Sequence, residues 1–336
     1  MTLTQTANLT RRGIIIIIVL MIIAISGSIG YSIWNQYRIS QIPPVMEQPE
    51  MKFGILPAIN FPASNVTSSN YSYSLDTETG NLPQIPKFLK VYFIPKSSIT
   101  LMAPEKSINL AQNLGFLIGP EIISANIYKF TNESGGEMII DLTTGNFSFQ
   151  QSNVEKIATN SAQANLPNQD KIIADFKNYL SSNNLLVEDL KNGRGFVQYN
   201  NGTAQDSVTA KVSLFPINFE NLPIITPLFN QGLIKATVNG PEVKRYPRLD
   251  YTYWVIDKTT SSTYPLKTAQ EAYEELKSGA GFVSIESNSP KVSISSVYLA
   301  YLETEEYTPY LQPVFVFEGP DFVGLVPAIN TTSIQN

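Results

Sequence analysis

Ile122–Phe130, Met138-Ile139-Ile140-Asp141-Leu142-Thr143-Thr144-Gly145 and Phe147-Ser148-Phe149 form the stretch whose reading sets the fold class. Three short runs rich in β-branched and aromatic residues are separated by polar clusters, Asn132–Gly136 and Thr143–Gly145, so the stretch reads as a three-stranded antiparallel meander. At the second turn Asp141 can bond the amides that follow it, and Gly145 can take a positive φ. Just upstream, Ala103–Leu114 has the pattern of a helix. Pro104 suits its first turn, Ile108, Ala111 and Leu114 line one side, and Gly115 ends it. The unit is therefore a helix followed by a meander.

Working outward, Tyr71–Leu75 and Phe88–Ile94 read as a hairpin across the polar turn Asp76–Gly80. Gln151–Gln169 is polar without a strong period and reads as a linker or a surface loop, and as the boundary between two domains, 71–150 and 170–330. Asp170–Leu180 is a second helix, with Ile172, Ile173, Phe176, Tyr179 and Leu180 on one broad face. Gly195–Tyr199, Ser207–Phe215 and Leu233–Val238 follow as strands. Leu249–Ile256 carries large residues on both phases, which suits a central strand. Phe215–Phe229, with Pro216, Pro223 and Pro227, is either a buried loop or a lip exposed to a partner.

Thr268-Ala269-Gln270-Glu271 matches a capping box, in which the Thr hydroxyl and the Glu carboxylate each satisfy a free amide. Ala269, Ala272, Tyr273 and Leu276 then follow helical spacing, and Gly279 stands at the exit. Val292 and Ile294 alternate on one phase, while Val297, Leu299 and Tyr301 follow the other. A bulge at Ser295-Ser296 reconciles them. Leu311–Phe317 and Phe322–Ile329 close the chain around a Glu318-Gly319-Pro320 turn, and 331–336 is a polar tail.

Tyr128-Lys129-Phe130 with Gly135–Phe147 resembles the small PepSY module, whose hairpin often ends in an Asp-x-x-Thr-Gly turn, here Asp141 to Gly145. Ala269–Gly279, Val297–Tyr301 and Leu311–Phe317 resemble the C-terminal domain of the YycH/YycI type over about residues 266–329. Residues 71–260 share only the general plan. The strand at Pro313 continues with Val314-Phe315-Val316-Phe317 where that family often carries a Trp. The resemblance implies a membrane-anchored auxiliary regulator of a cell-envelope sensor kinase, built from PepSY-like modules and without catalytic residues. The expected fold class is α+β, with an N-terminal transmembrane helix followed by tandem helix-on-meander modules.

Residues Gly13 to Tyr37 contain no charge and follow Arg11-Arg12. As a helix, 13–34 spans roughly 33 Å, enough for a bilayer core of about 30 Å. Tyr31 and Trp34 suit the far interface, and the arginines favour a cytoplasmic N-terminus for residues 1–12. The rival reading is a cleaved signal peptide, but apolar residues resume at Ile29 and no A-x-A site appears. Both readings export the rest of the chain. Residues 35–70, with Pro43, Pro44, Pro57 and Pro62, read as an extracytoplasmic stalk. Phe53, Ile55, Leu56, Ile59 and Phe61 either belong to that spacer or pack along the first domain.

The chain has no cysteine and no histidine among 336 residues, and a net charge of −5. Disulfides, thiol nucleophiles, imidazole bases and the commonest zinc ligands are thereby ruled out. A mild acidic balance without a long basic patch argues against nucleic acid. Candidate interaction residues are the aromatics Tyr251, Tyr253 and Trp254 and the basic cluster Lys244, Arg245 and Arg248, the latter facing anionic envelope polymers or lipid headgroups. Glu303, Glu305 and Glu306 read as a solvated turn, and Asp141 as a turn cap. The sequence points to no catalytic residue, metal or cofactor. It points to a non-catalytic regulatory or protein-interaction role, with the membrane and a membrane or envelope protein as partners. The alternatives are an envelope module binding wall glycan or peptide, and a carboxylate-only hydrolase.

Overall fold

The local signals place the helices, and strand alternation then decides which face each buries. In the computed structural model, which describes residues 48–64, 66–152, 166–240 and 246–335, the chain begins with β1 (Ser72–Leu75), β2 (Phe88–Phe93) and α1 (Ala103–Asn113). The first meander is β3 (Ile118–Ser124), β4 (Ile127–Thr131), β5 (Glu137–Asp141) and β6 (Phe147–Gln150). Next come α2 (Gln169–Ser182), α3 (Glu188–Lys191), β7 (Gly195–Tyr199), β8 (Thr209–Leu214), β9 (Ile224–Ile225), β10 (Ile234–Asn239) and β11 (Arg248–Tyr251). The chain ends with β12 (Asp257–Pro265), α4 (Ala269–Ser278), β13 (Phe282–Ile285), β14 (Lys291–Ile294), β15 (Ser296–Leu302), β16 (Tyr310–Gly319) and β17 (Phe322–Pro327). The fold is α+β, with mostly antiparallel pairing. Among the described residues, no helix is long and apolar enough to cross a membrane. The expected span at 13–34 lies outside them, as do residues 1–12 and most of the expected linker.

An eight-stranded antiparallel sheet runs in the order β3-β4-β5-β6-β11-β10-β8-β7. Each half is a helix followed by a four-stranded meander. The two last strands, β6 and β11, meet in the middle, with Phe147 opposite Tyr251 and Phe149 opposite Leu249. The expected boundary at 151–169 therefore does not divide the chain between separate sheets; the strands on either side of it are hydrogen-bonded to each other. One strand phase (Phe130, Met138, Ile140, Phe149, Val212, Ile234, Ala236, Val238, Leu249) packs in a single core with Ala111 of α1 and Ile172, Phe176 and Leu180 of α2. Asn168 caps α2, its side chain accepting from the Lys171 amide at 3.0 Å. The other strand phase faces away from the helices.

The second sheet draws on both ends of the described chain. β2 pairs with β12 and, through Tyr310 and Leu311, with β16; β16 also pairs with β15 and β17. β1 runs parallel to β14. β1 and β2 thus do not form the expected hairpin, because each finds a longer-range partner with an apolar face to cover. The anticipated bulge at Ser295 is a switch between sheets: β14 stays with β1, and β15 joins β16. The segment between β8 and β10 crosses to this sheet, where β9 pairs in parallel with Tyr301 and Leu302. Phe215, Phe219, Ile224 and Ile225 on it are buried, so the buried-loop reading holds there, while Ile217 and Leu228 stay exposed.

The described part of the expected stalk is packed rather than extended away. Leu56 is fully buried, and its amide donates to the Ser333 carbonyl at 2.9 Å. Phe53 stacks on Tyr310 at 4.9 Å and Phe61 on Phe282 at 4.8 Å. Fully burying Leu56 stabilises by about 1.5–3 kcal/mol, and Phe53 and Phe61, each partly buried, add to the attachment. Residues 49–336 form one compact unit.

Candidate functional site

The aromatic strand proposed as a ligand platform is largely consumed by packing. Tyr251 is buried, lies nearly parallel to Phe147 at 5.2 Å, and donates its hydroxyl to the Leu185 carbonyl at 2.8 Å. It offers no face to a ligand. Tyr253 is half-buried and donates to Asp189 Oδ2 at 3.2 Å, and the Trp254 indole N–H donates to the Thr304 carbonyl at 2.8 Å. The first bond ties the end of the long sheet to α3, and the second holds it against the β15–β16 loop. Lys244 and Arg245 lie outside the described residues.

Behind Trp254 lies a chamber of about 10 Å³, lined by Asp189, Phe219, Tyr253, Trp254 and Glu303 among others. A space of that size holds one water molecule. Glu303, expected on a solvated turn, is instead 5 % exposed. Its carboxyl has no hydrogen-bond partner among the described residues, although its amide donates to the Ile225 carbonyl at 2.8 Å. The β9–β15 pairing pulls it inside, a long-range event that no local pattern signals. Burial pushes its carboxyl up to about 8, with the negative charge of Asp189 adding to the effect. Asp189 in turn accepts from Lys258 Nζ at 3.1 Å. Glu305 and Glu306 line the adjoining cleft, of about 470 Å³, with Phe61, Pro62, Leu228 and Tyr307.

Asp141 caps its turn as read: its Oδ1 accepts from the Thr143 amide at 2.7 Å, and Gly145 has φ +76°. Asp257 serves the same purpose, its Oδ1 accepting from the Thr259 amide and hydroxyl, which pull the carboxyl down to about 2. Among the described residues no group of three or more acids is placed to hold a metal.

Arg248 stands on the open face of the long sheet, in company the sequence does not announce. On the sheet face turned away from the helices, Thr237 of β10 stands opposite Lys211 on one side and Arg248 on the other. Lys235, two residues along β10, stands opposite Ser213 and Asp250. Lys211, Ser213, Gln231, Lys235, Thr237, Arg248 and Asp250 line a hollow of about 290 Å³. A second hollow of about 300 Å³, with Gln198, Asn200 and Thr209, shares Lys211 and Thr237 with it. The legible signal was the polar phase of β8 and β10, which places Lys211, Lys235 and Thr237 opposite the buried alternation. Register, which brings them beside Arg248, is set only by pairing.

No protein-family model matches the chain, and no curated protein matches it.

Proposed function

We infer that the chain is a single-pass protein of the cell membrane, with its N-terminus cytoplasmic and its folded part outside, acting without catalysis by regulating or binding another envelope protein. The observation that carries this reading is the uncharged stretch Gly13–Tyr37 behind Arg11-Arg12, whose length and flanks suit a signal-anchor. An uncharged helix offers packing surface to another membrane helix. The repeated helix-then-meander order of residues 103–150 and 169–251 supports a pair of PepSY-like modules, and so the YycH/YycI-type regulatory role that the C-terminal stretch suggests. Support for a protein partner also comes from β3, the outer strand of the long sheet, where Ile118, Ile122 and Ile123 are 52 %, 66 % and 54 % exposed. Contiguous apolar surface on an edge strand is a feature of interaction sites.

The test is recovery of the full-length protein from its native membrane after crosslinking in intact cells. The expected result is an intact N-terminus by mass, a body accessible to protease added outside, and a crosslink to a membrane protein. Recovery in the cytosol, or from the membrane with no crosslinked partner, would sink the reading.

A further inference from the structure

We propose that the open face of the long sheet, across β7, β8, β10 and β11, is a binding groove for an extended anionic polysaccharide strand. The inference does not rest on the regulatory reading above, and either can fail alone.

Three observations carry it. First, the cations are grouped by register. Lys211 and Arg248 each stand one strand away from Thr237, so their backbones are about 10 Å apart at about 4.8 Å per strand. Lys235 lies two residues further along β10, completing a triangle around Thr237. Second, the charges are only partly spent. Lys211 has no ion-pair partner among the described residues. Lys235 Nζ lies 3.8 Å from Glu305, a carboxylate that is itself largely exposed. Arg248 uses Nε and Nη2 on Asp250, at 3.2 and 3.4 Å, which leaves Nη1 free. In a chain of net charge −5, three cations against two carboxylates, Asp250 and Glu305, leave a local positive excess. Third, the neighbouring groups are amides and hydroxyls. The two neighbouring hollows add Gln198, Asn200, Thr209, Thr237 and Gln231, donors and acceptors that match sugar hydroxyls. The two hollows lie side by side across Lys211 and Thr237, a spacing suited to a strand rather than to a single ion.

A lipid surface would ask for something different. A membrane-binding face carries apolar or aromatic residues that enter the interface beside its cations; here the aromatics are Phe196 on the face and Tyr199 at the rim of the second hollow, and Tyr199 is half-buried with its hydroxyl donating to the Pro167 carbonyl at 2.9 Å. A nucleic acid would call for a longer basic tract and stacking aromatics.

The experiment titrates the full-length protein, in neutral detergent and at two ionic strengths, with four probes. These are dextran sulfate, unsulfated dextran of equal length, poly-L-glutamate, and mixed micelles containing phosphatidylglycerol. Dextran sulfate is expected to bind with an affinity that falls as salt rises, unsulfated dextran not to bind measurably, and poly-L-glutamate to bind at least severalfold more weakly. Lys211→Gln and Arg248→Gln should each weaken dextran sulfate binding about two- to fivefold, as expected for a single exposed charge contact. Lys291→Gln, on β14 and equal in charge change, should leave it unaltered. Thermal melting of each exposed-site variant verifies the fold. Equal weakening by Lys291→Gln would show diffuse charge attraction and overturn the proposal. So would poly-L-glutamate binding as tightly as dextran sulfate, or binding to the anionic micelles alone.

Discussion

Glu303 is the residue on which the physics of the seam turns. A carboxyl held in a space for one water, facing Asp189 and walled by Tyr253, Trp254 and Phe219, cannot ionise cheaply. Lys258 is the cation on this side, and it is already engaged by Asp189. With its folded value raised from 4.5 to about 8, Glu303 keeps its proton in the folded state where the unfolded chain gives it up. Stability from this group is thus complete below about 4.5 and drains as pH rises through the window up to about 8. Glu303→Gln, which keeps the shape without the ionisation, should flatten that decline. The gain at pH 8.5 relative to pH 4.5 should be on the order of 1 to a few kcal/mol. Denaturant midpoints of both proteins at the two pH values measure it, and parallel pH slopes would refute the assignment. The expectation of an exposed acidic turn holds for Glu305 and Glu306 and failed at Glu303, because its burial depends on β9 arriving from far upstream in the chain. Nothing local to Glu303-Thr304-Glu305-Glu306 announces that arrival.

At the scale of single elements, the sequence was most readable where the forces are local. α4 begins and ends where its caps say. Thr268 Oγ1 accepts from the Glu271 amide at 3.1 Å, the Glu271 carboxylate accepts from the Thr268 amide at 2.7 Å, and Gly279 closes the helix at φ +97°. Its apolar side, Ala269, Ala272, Tyr273 and Leu276, is buried against Phe317, Phe322 and Val326. Thr268→Ala removes one acceptor and unbalances the other half of the box. The expected cost is about 1 kcal/mol, read as a lower denaturant midpoint with an unchanged slope. A loss below about 0.2 kcal/mol would mean that the tertiary contacts alone hold the first turn. The Asp141–Gly145 turn was equally legible, and for the same reason. Strand existence was also legible from alternation. Strand partners were not, because alternation fixes which face a residue takes and leaves the neighbour open. β1 and β2 look like a hairpin on every local criterion, yet both pair with strands from the C-terminal third of the chain. The cluster at Lys211, Lys235 and Arg248 was invisible for that reason, since it exists only once β8, β10 and β11 are laid side by side.

Over the whole molecule, the pairing scheme says where the chain can be cut. A division at 151–169 follows the composition of the sequence, but it separates β6 from β11 at the centre of the long sheet and exposes Phe147 and Phe149 to water. Residues 97–255 instead keep all eight strands of that sheet, α1, α2, α3 and the whole core they share. What they lose is the set of bonds to the second sheet, chiefly β9 with β15, Tyr301 and Leu302 being its partners, and the Trp254 contact with Thr304. A fragment of residues 97–255 should therefore melt as one cooperative transition, at a lower temperature than the intact protein. A fragment of residues 71–150 should fail to melt cooperatively and should self-associate through its bare β6 edge. The second sheet gives the complementary expectation. Residues 257–336 lack β2, so β12 has no partner and Tyr264 and Phe315 lose the cover of Val91. That fragment should stay unfolded alone and recover structure when residues 49–96 are supplied in trans. Circular dichroism melts and sedimentation of the three fragments decide the matter. Cooperative folding of 71–150 alone would show that the first meander is an independent domain after all, and that the β6–β11 junction is an interface formed late between finished parts.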